Sequence, residues 1–166
     1  LEEAHSIGLV HRDIKPANVM IVGITGVYDF VRVPDFGLGK NRAPLDGGAS
    51  LTNENLLTGT PLYMAPDAIA RPDAAEPRSD LYAVAAVGYL MLTGQHVFAA
   101  SSVAELLAAH LHAPPVPIRE RLGAAVPPDL EALILRGLAK SPADRPPSAA
   151  AFREALLGCD VPRWTQ

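Results

Sequence analysis

The sequence predicts a mainly helical α+β fold, a helical bundle preceded by short β-hairpins. Three observations carry that expectation. Apolar residues recur at helical spacing through most of residues 79–158. Two short β-rich runs, residues 19–22 and 28–33, lie on either side of the turn glycines Gly23 and Gly26. Hydrophobic residues make up 49% of the 166, enough to bury a core in one domain or a large piece of one.

Each element follows from its local pattern. Leu1, Ala4 and Ile7 are the tail of an amphipathic helix that Gly8 stops, and Leu9-Val10 reads as a short strand beyond it. Residues 38–60 are rich in Gly, Asn, Ser, Thr and Asp without periodicity, the pattern of a long functional surface loop. Ser79 and Asp80 suit a helix start, with Asp80 as a simple cap. The helix they open is the most apolar one and runs through Met91, with Val87 and Met91 together on a core face. Val103, Leu106, Leu107, His110 and Leu111 define a helix over 103–112 that ends before Pro114-Pro115. Pro127-Pro128 starts another, with Leu130, Leu133, Ile134 and Leu138 inward. Ser148 caps a last helix with Ala151, Phe152, Ala155 and Leu156 inward. Residues 159–166 read as a short tail, polar apart from Trp164.

Composition removes several classes of function. A net charge of −4, from 14 basic and 18 acidic residues, gives no electrostatic reason to propose nucleic acid or an acidic membrane surface as partner. No window reaches the roughly 18 uninterrupted apolar residues of a membrane span. The nearest, residues 81–92, is better explained as a buried helix. There is no signal-peptide pattern. The single cysteine, Cys159, excludes an internal disulfide framework and fits a reducing cytoplasm. His110 and His112 diverge on a helix and do not form a metal pair. The chain starts with Leu1 in mid-helix, which reads as a fragment or a trimmed product.

The chemistry concentrates in His11-Arg12-Asp13-Ile14-Lys15-Pro16-Ala17-Asn18. Phosphoryl transfer to a hydroxyl needs the acceptor oxygen oriented, the γ-phosphate charge offset and a metal ion held. Asp13 can accept the hydroxyl proton, Lys15 can reach phosphate oxygens, and Asn18 can offer its amide oxygen to Mg²⁺. Asp35-Phe36-Gly37 follows, across the β-rich segment. Alone it would read as an ordinary acidic turn. In this order and spacing the two motifs resemble the catalytic loop and D-F-G of protein kinases. The resemblance covers residues 1–158, as the large, C-terminal lobe of that fold, and is closest in kind to the bacterial serine/threonine kinases of eukaryotic type. Lys15, two residues after Asp13, carries the serine/threonine assignment.

What the resemblance implies can be placed residue by residue. Residues 11–18 would be the catalytic loop, 35–67 the activation segment and 79–158 the helical subdomain. Asp35 would hold the metal with Asn18, and Met20 would touch the adenine from below. His11 would pack its ring under Phe36 rather than act as a base. Pro34, directly before Asp35, departs from the common pattern, removing an N–H and restricting Val33 to extended conformations. Arg12 and Lys40 would receive a phosphate on the activation segment, with Thr52 favoured over Ser50 and Thr58 as its site. Thr60, in Gly59-Thr60-Pro61-Leu62-Tyr63-Met64-Ala65-Pro66, would bond Asp13 and Lys15 in a substrate-docking loop. Asp67 stands where the family usually has glutamate, and would still pair with Arg145. Asp80, beyond capping, would hold the backbone N–H groups around His11 and Arg12.

The implied ligands are ATP and Mg²⁺, with Mn²⁺ a substitute, and protein substrates that present Ser or Thr. These residues contain no G-x-G-x-x-G loop and no V-A-I-K-type strand. The other lobe in cis would therefore be needed, and the lobe alone is expected to be inactive or nearly so. A competing class is a non-catalytic interaction module, which has no chemical need for Asp13, Lys15, Asn18 and Asp35 together. A metal hydrolase built on Asp13, Asn18 and Asp35 lacks a histidine cluster.

Overall fold

A 17-residue helix, α3 (Pro77–Thr93), runs through the middle of the molecule and organises the rest. The computed structural model describes residues 1–24, 27–34, 60–72 and 76–161, and of residues 24, 27–30 and 60 only the backbone. Before α3 come α1 (Glu2–Ser6), a two-stranded sheet of β1 (Met20–Ile24) and β2 (Val27–Arg32), and α2 (Pro66–Ala70). After it come α4 (Val103–His112), α5 (Ile118–Leu122), α6 (Pro128–Gly137) and α7 (Ala149–Leu157). The described residues are thus mostly helical with one small sheet.

α3 starts one turn earlier than Ser79-Asp80 suggested. Glu76 is its N-cap, and a capping box joins Glu76 and Ser79, with the Glu76 N–H donating to Ser79 Oγ at 3.3 Å. Asp80 therefore lies inside the first turn, not at the cap. The helix ends at Gly94, whose φ of +68° is the left-handed conformation that glycine adopts without penalty.

The buried stripe of α3 is Tyr82, Ala85, Ala86 and Tyr89, at the 3–4-residue spacing of one helical face. Met91 is two residues past Tyr89, about 200° around the axis. It is 80% exposed, which corrects its assignment to the core.

Small residues let α6 approach α3 closely. A Cβ added at Gly137 would lie 2.5 Å from Ala85 Cβ and 3.0 Å from the Phe152 ring. Gly137→Ala should therefore destabilise the fold by about 1–3 kcal/mol through overpacking, measurable as a lower urea midpoint with an unchanged slope. Leu130, Leu133, Ile134 and Leu138 of this segment are buried, and Phe152 joins them from α7. Ala155 and Leu156 do not: both are exposed, Leu156 by 41%. α7 meets α6 at Phe152, α1 through Arg153 and Glu2, and also α3, while Leu156 and Leu157 stay exposed.

The sheet is an antiparallel hairpin pairing Met20 with Arg32, Ile21 with Val31 and Val22 with Phe30. The register slips between Val22 and Ile24, a bulge beside Gly23. Leu9-Val10 has no strand among the described residues.

Beneath α4 lies a buried cluster of titratable groups. Tyr82 Oη and His110 Nδ1 are 2.8 Å apart, Phe98 meets the His110 ring edge-on, and Lys140 donates to the His110 carbonyl at 2.7 Å. Burial first, and then the charge of Lys140, push the His110 pKa down to about 4, partly opposed by the Leu62 backbone. The folded state thus keeps this ring neutral where an unfolded chain, titrating near 6.5, would take a proton. Stability from this group is complete above pH 6.5 and is lost as pH falls toward 4, by about 3 kcal/mol in all. His110→Gln should flatten the urea midpoint between pH 6.5 and 4.

Candidate active site

The loop of residues 11–18 is shaped from both ends. Gly8, at φ +77°, turns the chain out of α1. At the other end Pro16–Asn18 forms a single 3₁₀ turn, closed by Asn18 N–H on the Lys15 carbonyl at 2.9 Å. Between them Arg12 has φ +67°, the left-handed region, where an L side chain costs about 1–2 kcal/mol.

Asp80 holds that conformation. Its Oδ1 accepts Arg12 N–H at 2.8 Å and its Oδ2 accepts His11 N–H at 2.8 Å. The same Oδ2 receives His5 Nε2, also at 2.8 Å. The Asp80 carboxylate is only 2% exposed, so three donors compensate a charge removed from water. His5, on α1, is a member of this site that sequence reasoning missed.

His11 is completely buried. Its Nδ1 accepts Asp13 N–H at 3.2 Å and its Nε2 donates to the Pro34 carbonyl at 3.0 Å, which defines the Nε2–H tautomer. Both ring nitrogens are thus turned to backbone, one toward the Asp13 loop and the other toward the segment before Asp35.

The Asp13 carboxylate is gripped by neighbours in its own loop. Lys15 Nζ lies 3.1 Å from Oδ1 and 2.9 Å from Oδ2. Asn18 Nδ2 donates to Asp13 Oδ2 at 3.0 Å and to the Asp13 carbonyl at 2.8 Å. With its amide nitrogen committed there, Asn18 presents its carbonyl oxygen on the other side, a hard ligand of the kind Mg²⁺ takes. Among the described residues no group of three or more His, Cys, Asp or Glu side chains gathers as a metal site.

Behind the loop, Arg145 anchors α2, the helix that follows the Thr60–Tyr63 turn. Its Nη2 donates to Asp67 Oδ1 at 2.6 Å, and the other Asp67 oxygen takes a short bond from Ser79 Oγ. Arg145 also donates to the carbonyls of Ala139, Arg78 and Lys140 and lies over the Tyr82 ring. A cavity of about 20 Å³ separates Arg12, Asp13 and Ile14 from Tyr63, Met64 and Ala65, enough for about one water molecule.

Other expected site residues fall elsewhere. Met20 is on β1 and 53% exposed. Asp35, Phe36, Lys40, Ser50, Thr52 and Thr58 lie outside the described residues, as does the side chain of Thr60. The expected contacts of Phe36 with His11, of a loop phosphate with Arg12, and of Thr60 with Asp13 fall outside with them.

Comparison with known proteins decides the family. Residues 1–157 match the protein kinase domain. The chain belongs to the protein kinase family. Within it the kin are bacterial serine/threonine kinases of eukaryotic type. The serine/threonine-protein kinase pkn3 of Myxococcus xanthus is 43% identical over 164 residues, 98% of this chain and 30% of that kinase. Pkn1 of the same organism is 43% identical over 157 residues, 94% of this chain and 22% of that kinase. PknB of Mycolicibacterium smegmatis is 38% identical over 157 residues, 95% of this chain and 24% of its own length. The chain therefore spans less than a third of each of these kinases.

Proposed function

We propose that these residues form the C-terminal lobe of a serine/threonine protein kinase, which transfers the γ-phosphoryl group of ATP to Ser and Thr hydroxyls of protein substrates. The observation that carries this reading is the Asp13 carboxylate, fixed by Lys15 and Asn18 in a loop whose backbone Asp80 clamps. A carboxylate held this way can accept a proton from an acceptor hydroxyl and orient its oxygen for in-line attack. Lys15, already beside Asp13, neutralises charge on the phosphoryl oxygens as it develops. Asn18 and Asp35 would hold Mg²⁺ or Mn²⁺, and the ion would supply positive charge to offset that of the nucleotide phosphates.

The other roles belong to the same proposal. Met20 would floor the adenine, Thr60 would tie the docking loop to Asp13 and Lys15, and His11 would support Phe36. Arg12 and Lys40 would order the activation segment around a phosphate on Thr52, Ser50 or Thr58. The segment supplying the upper wall of the nucleotide site would come from elsewhere in the parent protein, so these 166 residues alone would transfer little or no phosphate. Among the described residues no helix is long and apolar enough to cross a membrane. The need for ATP places the lobe in the cytoplasm in this reading.

The test uses the complete two-lobed protein with ATP and Mg²⁺ and follows phosphate on protein substrates by mass spectrometry. Phosphoserine and phosphothreonine are expected. Asn18→Ala should raise the Mg²⁺ concentration for half-maximal transfer about tenfold, on the scale of a lost metal-site contact. Phosphate found only on tyrosine, or none at all, would contradict the proposal.

A further inference from the structure

The buried cluster beneath α4 includes an amine that the proposed reaction does not use. Lys140 is half-buried and lies across the C-terminal end of α4. Its Nζ donates to the carbonyls of His110 at 2.7 Å and Ala109 at 3.3 Å, and stands 4.6 Å from the centre of the Phe98 ring. The Ala109 carbonyl also accepts Ala113 N–H at 2.9 Å, whereas that of His110 is a last-turn carbonyl with no helical donor. Among the described residues no carboxylate pairs with Lys140. The charge beside it is a like one: Arg145 donates to the Lys140 carbonyl at 3.0 Å.

Partial removal from water and a neighbouring cation both disfavour an ammonium, and together they are the setting that makes a lysine nucleophilic. The carbonyl dipoles and the ring face offset part of this, but none of them is a full counter-charge. Burial first, and then Arg145, bring the Lys140 pKa down to about 8. The free amine keeps both carbonyl bonds, having two hydrogens to donate, and retains a lone pair for attack. The other two lysines of the chain, Lys15 and Lys40, are already assigned to phosphoryl transfer and the activation segment, which leaves Lys140 as the one without a part in that reading.

We propose that Lys140 is a modification site that takes an acyl group from a small activated donor, an acyl phosphate or an acyl thioester. The free Nζ attacks the acyl carbonyl carbon, and a C–N bond forms as the C–O bond to phosphate or the C–S bond to the thiol breaks. The leaving group departs with the bonding pair, and the surplus amine proton passes to water. The product is a neutral amide with a single N–H, so it holds one of the two α4 carbonyls and not both. Acylation thus removes a cation from the helix end that favours one, and frees His110 from a charge that lowers its pKa. The site is separate from the Asp13 loop and does not rest on the kinase reading.

The experiment treats the full-length protein with acetyl phosphate or, separately, with acetyl-coenzyme A, from about pH 7 to about pH 9. Nα-acetyl-lysine amide in the same tube is the reference amine, and peptide mass spectrometry reads each lysine. At about pH 7.5 the free-amine fraction of Lys140 is about 100-fold that of an ordinary lysine. A less basic amine is also a weaker nucleophile, so Lys140 should be acetylated about tenfold faster than the reference. Its rate should level off by about pH 9, while that of the reference keeps rising. No neighbour blurs this profile: His110 titrates at about 4, burial holds Tyr82 protonated, and Arg145, tied to Asp67, stays charged. Unfolding in urea should return Lys140 to the reference rate. The faster of the two donors identifies the source of the acyl group. Acetylation of folded Lys140 at or below the reference rate with both donors would overturn the proposal, as would a rate that climbs with pH as steeply as the reference.

Discussion

Arg145→Leu should destabilise the protein by about 3–5 kcal/mol, the range for breaking one side of a buried ion pair. Arg145 is 1% exposed, and its guanidinium serves four acceptors at once: Asp67 and the carbonyls of Ala139, Arg78 and Lys140. Leucine fills part of the space but leaves the Asp67 carboxylate buried with Ser79 as its one remaining side-chain partner among the described residues. Arg145→Lys should rescue little, because an ammonium cannot reproduce the planar fork that reaches acceptors on three sides. The double variant Asp67→Leu/Arg145→Leu should recover part of the loss, since neither charge is then stranded. Urea melts of the four proteins measure this. A loss below about 1 kcal/mol in Arg145→Leu would mean that the pair is solvated and contributes no more than a surface salt bridge.

Asp80→Ala should be nearly as costly and should also disable the site. It removes one acceptor from His11 N–H, Arg12 N–H and His5 Nε2 together, and each buried donor left unpaired costs about 1–3 kcal/mol. It also releases Arg12 from φ +67°, so the backbone next to Asp13 is free to relax. Transfer in the complete protein should fall by more than tenfold while nucleotide affinity stays close to wild type, because the damage is to orientation. Adding Arg12→Gly to Asp80→Ala should return some stability, since glycine adopts the left-handed conformation without a Cβ clash. An Asp80→Ala protein with wild-type transfer would show that the clamp is only structural.

How much of this was legible in the sequence depends on how local the cause is. The helices at 103–112 and from Pro128 follow directly from apolar spacing and proline punctuation. α2 and α5, at five residues each, are too short to show a period, and neither was expected. Spacing also says which residues share a face but not whether another element covers it. Met91 and Leu156 look like core residues in a linear pattern and are exposed in the fold. The contact of Asp67 with Arg145 was within reach because both sit in short motif segments; the shorter aspartate reaches the guanidinium at 2.6 Å. His5 was not, since its position reads as one more turn of α1 and its partner Asp80 is 75 residues away in the chain. The role of the helix cap was displaced for a local reason: the Glu76–Ser79 box takes the N-terminus and leaves Asp80 for the loop.

The most direct measurement of the central claim is phosphoryl transfer by the full-length protein carrying Asp13→Asn. An asparagine keeps the hydrogen bond to Asn18 and much of the shape but cannot accept a proton. The account predicts a fall in kcat of about 10²–10⁴-fold with the KM for ATP little changed. Transfer within a few-fold of wild type would contradict it, and would mean that the carboxylate gripped by Lys15 and Asn18 is not the group that prepares the acceptor hydroxyl.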